Sequence, residues 1–183
     1  MHLVGAIEDI LTAPASCGST HVIAVDGRAG SGKTTLAHEL FLALAVDRSV
    51  TVIHLDEIYD GWDNALSSTL TDVLHAMLEE LSQQRSTWLP IYNWSEHAFG
   101  TSKEISPCDL LIIEGVGSGQ KIVREYASAT IWLDVDQEVG LSRVLLRDGD
   151  AITENMRQWQ IDEDLHFALD KTRENADFIL STI

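Results

Sequence analysis

The stretch VIAVDGRAGSGKTTLAHEL, from Val22 to Leu40, decides how the rest of the chain is read. It begins as an apolar, β-branched run and ends as a helix former's sequence, with Gly27, Gly30 and Gly32 between. Gly27, Gly32, Lys33 and Thr34 fit the pattern G-x-x-x-x-G-K-[S/T], placed after a predicted strand and before a predicted helix. In such a loop glycines let successive backbone N–H groups turn toward an anion, and the following helix presents its positive N-terminal end. Gly27, Arg28, Ala29, Gly30, Ser31, Gly32, Lys33, Thr34 and Thr35 therefore form a candidate cradle for a nucleoside triphosphate. Lys33 is expected to reach the β- and γ-phosphates, and the Thr34 hydroxyl to hold Mg2+. The alternative is a glycine-rich turn with a surface lysine. Switches, motors and kinases all use this loop, so the receiving molecule has to be sought elsewhere in the chain.

Outward from this loop, apolar runs recur at 21–26, 50–56, 109–115, 129–135 and 176–183. Their near-continuous hydrophobicity is that of strands buried on both faces. Helix-like stretches at about 33–46, 65–84, 119–128, 137–148 and 153–175 separate them, which reads as βαβ units in a parallel sheet covered on both sides. TWLPIYNW (87–94) is an extra extended segment, interrupted by Pro90, expected as an edge strand or a loop. One α/β domain accounts for all 183 residues, a length that supports a substantial core.

The chain carries 12 basic and 29 acidic residues, a net charge of −17, and so repels nucleic acid and anionic membrane. Phosphate binding must then be local, through backbone N–H groups and a few placed cations. No run reaches the ~20 apolar residues of a membrane span. The N-terminal MHLVGAIEDILTAPA has acids where an export signal has bases, and is expected as an amphipathic helix. Cys17 and Cys108 form no ligand-spaced pair and read as free thiols of a cytoplasmic protein.

Ligands in open α/β sheets bind beyond the carboxyl ends of the strands. Asp56, which closes the second run, is placed to accept a proton from an acceptor hydroxyl, or alternatively to cap the next helix. Glu114, closing LLIIEG, is a candidate Mg2+ ligand, direct or through water. Arg143 and Arg147 share one helix face and either clamp phosphate oxygens or pair with neighbouring acids. DGDAIT after them reads as a short hinge.

In order along the chain, GRAGSGKTT, DEIY, PIYNWSEH, IEGVGS and LSRVLLRD resemble the motifs of the uridine kinase family of P-loop kinases. The resemblance covers most of the chain. It implies that Asp56 is the catalytic base, also near Mg2+, and that Tyr59, Tyr92, Trp94 and His97 enclose the acceptor's base. It further implies that Asp63 holds the ribose, that Glu114 is the metal-associated acid, and that Arg143 and Arg147 are lid arginines. The chain departs from the pattern at Asn93, where the family has Asp, and at Gly140, where an arginine is usual. The lid after Arg147 is acidic, and the segment between Asp63 and Leu89 is shorter.

The reading that results is a cytoplasmic, Mg2+-dependent kinase with a three-layer α/β/α sandwich around a five-stranded parallel sheet. It has a single domain over 1–183, a short lid around 143–153, ATP as donor and a nucleoside-like acceptor phosphorylated on a hydroxyl; a homo-oligomer is left open. Other readings are a kinase for a vitamin, sugar or nucleoside monophosphate, and a non-catalytic nucleotide-binding regulatory ATPase. A monophosphate acceptor calls for extra cations, and the stretch from Asp56 to His97 offers only Arg85.

Overall fold

The five apolar runs become one parallel sheet in the computed structural model, which describes residues 3–182. In chain order the elements are α1 (Leu3–Ile10), β1 (His21–Gly27), α2 (Lys33–Leu44), β2 (Val50–His54), α3 (Ser68–Ser82), β3 (Thr87–Asn93) and β4 (Ala98–Ile105). They continue with β5 (Leu110–Glu114), α4 (Lys121–Arg124), β6 (Ala129–Asp134), α5 (Gln137–Asp148), α6 (Thr153–Asp170) and β7 (Phe178–Ser181). The sheet order is β2-β5-β1-β6-β7, with every pairing parallel. Met1, His2 and Ile183, the outer ends of the helix and last strand expected from sequence, lie outside the described residues.

Strand geometry explains why the runs are continuously apolar. Successive side chains point to opposite faces, and both faces are covered. Val22 and Ala24 of β1, with Leu111 and Ile113 of β5, pack into a core with Leu74 and Leu78 of α3 and Trp159 of α6. Their neighbours Ile23, Val25, Leu110 and Ile112 enter a second core with Ile7 of α1 and Ala37, Leu40 and Leu44 of α2. Each fully buried Leu or Ile contributes about 1.5–3 kcal/mol, and together these two cores fix β1 at the centre of the sheet. The loop after β1 thereby lies between the strand ends of β5 and β6.

Several boundaries differ from expectation. The 87–94 segment is neither a loop nor an edge of the main sheet: β3 pairs antiparallel with β4 in a separate hairpin. β4 was not expected because AFGTSKEI has no apolar run, and seven of its eight residues are exposed. The helix expected at 119–128 shrinks to the four residues of α4. α3 starts only at Ser68, where the Ser67 hydroxyl accepts a hydrogen bond from the Thr69 N–H. Asp56 lies instead in a 3-10 turn, Leu55–Glu57, and so does not cap α3.

Candidate active site

The loop after β1 curls as its glycines permit. Gly32, at φ 94°, is the N-cap of α2 and makes no side-chain cap, so the first N–H groups of α2 have no partner from a capping side chain. Lys33 is buried, and its ammonium donates to the carbonyls of Gly27 at 2.9 Å and Arg28 at 2.8 Å. Burial lowers its pKa, against the nearby carboxylates of Asp26, Glu163 and Glu114. The Ser31 hydroxyl is buried in the same loop without a hydrogen-bond partner. On the outer side α5 lies directly on the loop. A Cβ on Gly30 would clash with the Gly140 carbonyl, and a Cβ on Gly140 would stand 2.5 Å from the Ala29 carbonyl oxygen. That contact explains the absence of an arginine at 140: any side chain there would displace the loop.

Three acids meet this loop from the strand ends. Glu114 closes β5, and its Oε1 accepts from the Thr34 hydroxyl at 3.1 Å and lies 2.5 Å from Nδ1 of His54, the last residue of β2. Asp56 opens onto the same cleft; its carboxyl pKa is raised, first by desolvation and then by the Glu114 charge. Asp26, buried at the end of β1, accepts N–H bonds from Gly27 at 2.7 Å, Gly117 at 3.0 Å and Gly119 at 2.8 Å. It ties the phosphate loop to the segment after β5, although burial pushes its pKa up against those bonds. Sequence reasoning passed over Asp26 and His54. The signal for Asp26 was present, since VIAVDG ends in an acid just as LLIIEG does.

A cleft of about 320 Å³ runs from Lys33 and Thr34 past Asp56 and Glu114 to an aromatic wall. Trp62, Trp94 and Trp159 line it, with Tyr59 beneath. The Trp94 indole N–H donates to the Asp56 carbonyl at 2.9 Å, which joins the hairpin to the acid across 38 residues of sequence. Trp62 meets Trp94 and Trp159 edge-on at 5.5 and 5.9 Å, and Tyr59 lies 5.3 Å from Trp159. The Tyr59 hydroxyl, its pKa raised by burial, donates to the Val116 carbonyl at 2.8 Å.

Other residues singled out from sequence lie elsewhere. Tyr92 packs behind Trp94 at 5.1 Å and is not among the cleft-lining residues. His97 is exposed in the β3–β4 turn, at φ 52°, away from the cleft lining. Asn93 uses its side-chain oxygen to accept the N–H groups of Ser95 and Glu96, which shapes that turn. Asp63 faces a second cavity of about 600 Å³ behind Trp62 and Trp159, not the cleft.

The cations divide in the same way. Arg143 lines the cleft and donates to the Gly30 carbonyl at 3.2 Å and the Thr182 hydroxyl at 3.3 Å. Arg147 also lines it, and the Nε and Nη2 edge of its guanidinium donates to both carboxylate oxygens of Asp148 at 2.7 Å. Arg28 turns away to α6, where it pairs with Glu163 at 3.4 Å and with Asp164, and lies over the Phe167 ring. The hinge expected after Arg147 is Gly149, at φ 91°, and a 3-10 turn, Asp150–Ile152. Met156, Trp159 and Glu163 of α6 were not foreseen at the site. The helix carries apolar residues on its exposed face as well, Ile161, Leu165 and Leu169 among them, so its pattern gave no clear signal.

A family model described as "Phosphoribulokinase / Uridine kinase family" matches residues 22–161. The chain belongs to this family. It is accordingly a P-loop kinase, a phosphotransferase with an alcohol group as acceptor. A uridine kinase from Brevibacillus brevis is 30% identical over 146 residues, covering 72% of this chain and 67% of the relative. One from Lactobacillus johnsonii is 28% identical over 142 residues, covering 69% and 67%. A solved structure described as a "possible uridine kinase" from Bacillus stearothermophilus superimposes with a TM-score of 0.67 at 22% identity, covering 98% of this chain and all of that one. That likeness concerns the fold. No described helix is long and apolar enough to cross a membrane.

Proposed function

We propose that this kinase transfers the γ-phosphoryl group of ATP to a hydroxyl of a small, neutral, nucleoside-like acceptor in the cytoplasm. The observation that carries the reading is the convergence of Lys33, Thr34, Asp56 and Glu114 on one cleft whose far wall is aromatic. Among the described residues no cluster of three or more His, Cys, Asp or Glu side chains suits a metal ion. Mg2+ takes few protein ligands and shares its shell with phosphates and water. The Thr34 hydroxyl and Glu114 carboxylate, 3.1 Å apart, fit that role, with Asp56 beside them. Bound there, Mg2+ would offset the charge of the triphosphate.

The chain's own groups divide the remaining work. Lys33, released from the Gly27 and Arg28 carbonyls, supplies a point charge to phosphate oxygens, as Arg143 and Arg147 do from α5. Asp56 accepts the proton of the acceptor hydroxyl. Trp62, Trp94 and Trp159 hold the flat ring of the acceptor so that the acceptor's alcohol faces Asp56, and alignment of this kind supplies much of the rate in phosphoryl transfer. The free thiols of Cys17 and Cys108, each donating to a backbone carbonyl, suit a reducing compartment.

One observation favours an acceptor other than a ribonucleoside: Asp63, Tyr92 and His97 do not line the cleft, where the resemblance implies ribose and base contacts. ADP release with Mg·ATP against nucleosides, nucleotides, sugars and vitamins separates the cases. Turnover with uridine or cytidine at least tenfold above the rest supports the nucleoside acceptor. Preference for another alcohol keeps the kinase and replaces the acceptor. Absence of acceptor-dependent ADP release overturns the proposal.

A further inference from the structure

The peptide unit between Arg28 and Ala29 is held from both ends. Its carbonyl accepts from the Lys33 ammonium at 2.8 Å, and its N–H donates to Oε2 of Glu163 at 3.1 Å. Glu163 comes from α6, 134 residues further along the chain, and its side chain is 1% exposed. The same Oε2 accepts from the indole N–H of Trp159 at 3.2 Å, one helical turn earlier. The Trp159 ring forms part of the aromatic wall, against Tyr59 and Trp62. One carboxylate oxygen thus joins a phosphate-loop N–H to a residue of the acceptor wall.

We infer that Glu163 is a positioning residue for the nucleotide and that Trp159 reports and transmits the state of the phosphate loop to the acceptor wall. The inference rests on the kinase reading of the cleft. Hydrogen bonds to a buried carboxylate are stronger than neutral ones, so the Ala29 N–H and the Trp159 indole are both firmly oriented. An Arg28–Ala29 peptide free to rotate would lose its carbonyl from the Lys33 ammonium, and the lysine would no longer be pre-set beside the cleft. A shift of that peptide on phosphate binding must in turn move the shared oxygen or break one of its two bonds. The indole ring then changes its packing against Tyr59 and Trp62. Arg28, paired with both Glu163 and Asp164, offsets the charge of the carboxylate.

Calorimetric titration with Mg·ADP, together with tryptophan fluorescence, tests this in the full chain. Glu163→Ala is expected to weaken Mg·ADP binding about tenfold or more, the usual consequence of losing a charge-assisted anchor. Glu163→Gln keeps an oxygen able to accept both N–H groups and is expected to stay within about threefold of wild type. Mg·ADP should change the tryptophan emission of the wild type, and Trp159→Phe should remove most of that change while still binding the nucleotide. A folded Glu163→Ala chain with wild-type affinity overturns the inference, as does a Trp159→Phe chain that retains the full emission change. Equal losses of Tm in both Glu163 variants with unchanged affinity would mean a purely structural acid and also overturn it. Where Glu163→Ala does not fold, the Trp159→Phe arm decides. A wild-type chain that binds no Mg·ADP overturns this inference and the kinase reading together, whereas binding insensitive to all three variants overturns this inference alone.

Discussion

The two walls of the cleft are built in different ways. The phosphate wall consists of residues adjacent in sequence, Gly27 to Thr35, set on the central strand of the sheet and braced by Asp26 through three backbone N–H groups. The acceptor wall gathers Tyr59 and Trp62 from the segment after β2, Trp94 from the β3–β4 hairpin, and Trp159 from α6. Its contacts are packed aromatic rings with three polar ties, from the Trp94 indole to the Asp56 carbonyl, the Tyr59 hydroxyl to the Val116 carbonyl and the Trp159 indole to Glu163. A wall made of one continuous segment keeps its geometry because few torsions separate its parts. A wall assembled from three segments depends on packing, and meets the chemistry beside it through the Trp94–Asp56 and Trp159–Glu163 bonds.

The sharpest test of that division is Asp56→Asn, which touches the boundary between the walls. It retains the shape and removes the proposed base, so kcat should fall by about 10²- to 10⁴-fold while Mg·ADP affinity changes less than about threefold. The raised pKa of Asp56 fixes two signs. As the base it must be ionised, so kcat/KM should decline as pH falls through its folded pKa, above the usual range for aspartate. A carboxyl whose folded pKa lies above its unfolded value favours folding when protonated, and that contribution is lost as pH rises through the folded pKa. At neutral pH the Asn variant should therefore melt no lower than the wild type. A clearly lower Tm would assign Asp56 a stabilising role instead.

Lys33→Ala acts on the phosphate wall alone. Removal of one pre-set cation should cost about 10²- to 10³-fold in kcat/KM for ATP with the circular dichroism spectrum retained. Normal ATP affinity would remove the loop from the mechanism.

Trp94→Ala acts on the acceptor wall alone. It should raise the acceptor KM about tenfold, as truncation of a packed aromatic anchor does, and leave the KM for ATP within about twofold. An equal effect on both constants would erase the distinction between the walls.

The smallest effect is expected at His97, in the hairpin turn. His97→Asn, with a residue that tolerates positive φ, should leave the acceptor KM within about twofold. A tenfold rise would restore the acceptor contact that the family resemblance implies and would require the hairpin to close over the cleft.

The sequence by itself determined the phosphate loop, the five parallel strands and the acid Glu114 at the end of one of them. In each case the deciding interactions are local: a glycine spacing, a run of residues buried on both faces, a carboxylate at a strand's carboxyl end. It also marked Trp94 through the ordered motifs, although only the fold brings its indole to the Asp56 carbonyl. The tertiary structure alone decided that AFGTSKEI would pair as a strand, since its backbone bonds are made to β3 and its side chains carry almost no burial signal. It alone turned Asp63 to the far side of Trp62 and pressed Gly140 onto the phosphate loop. It alone placed Glu163 against Ala29 across 134 residues. Such contacts depend on how α5 and α6 settle on the finished sheet, and no periodicity within either helix encodes which strand end or loop it will meet.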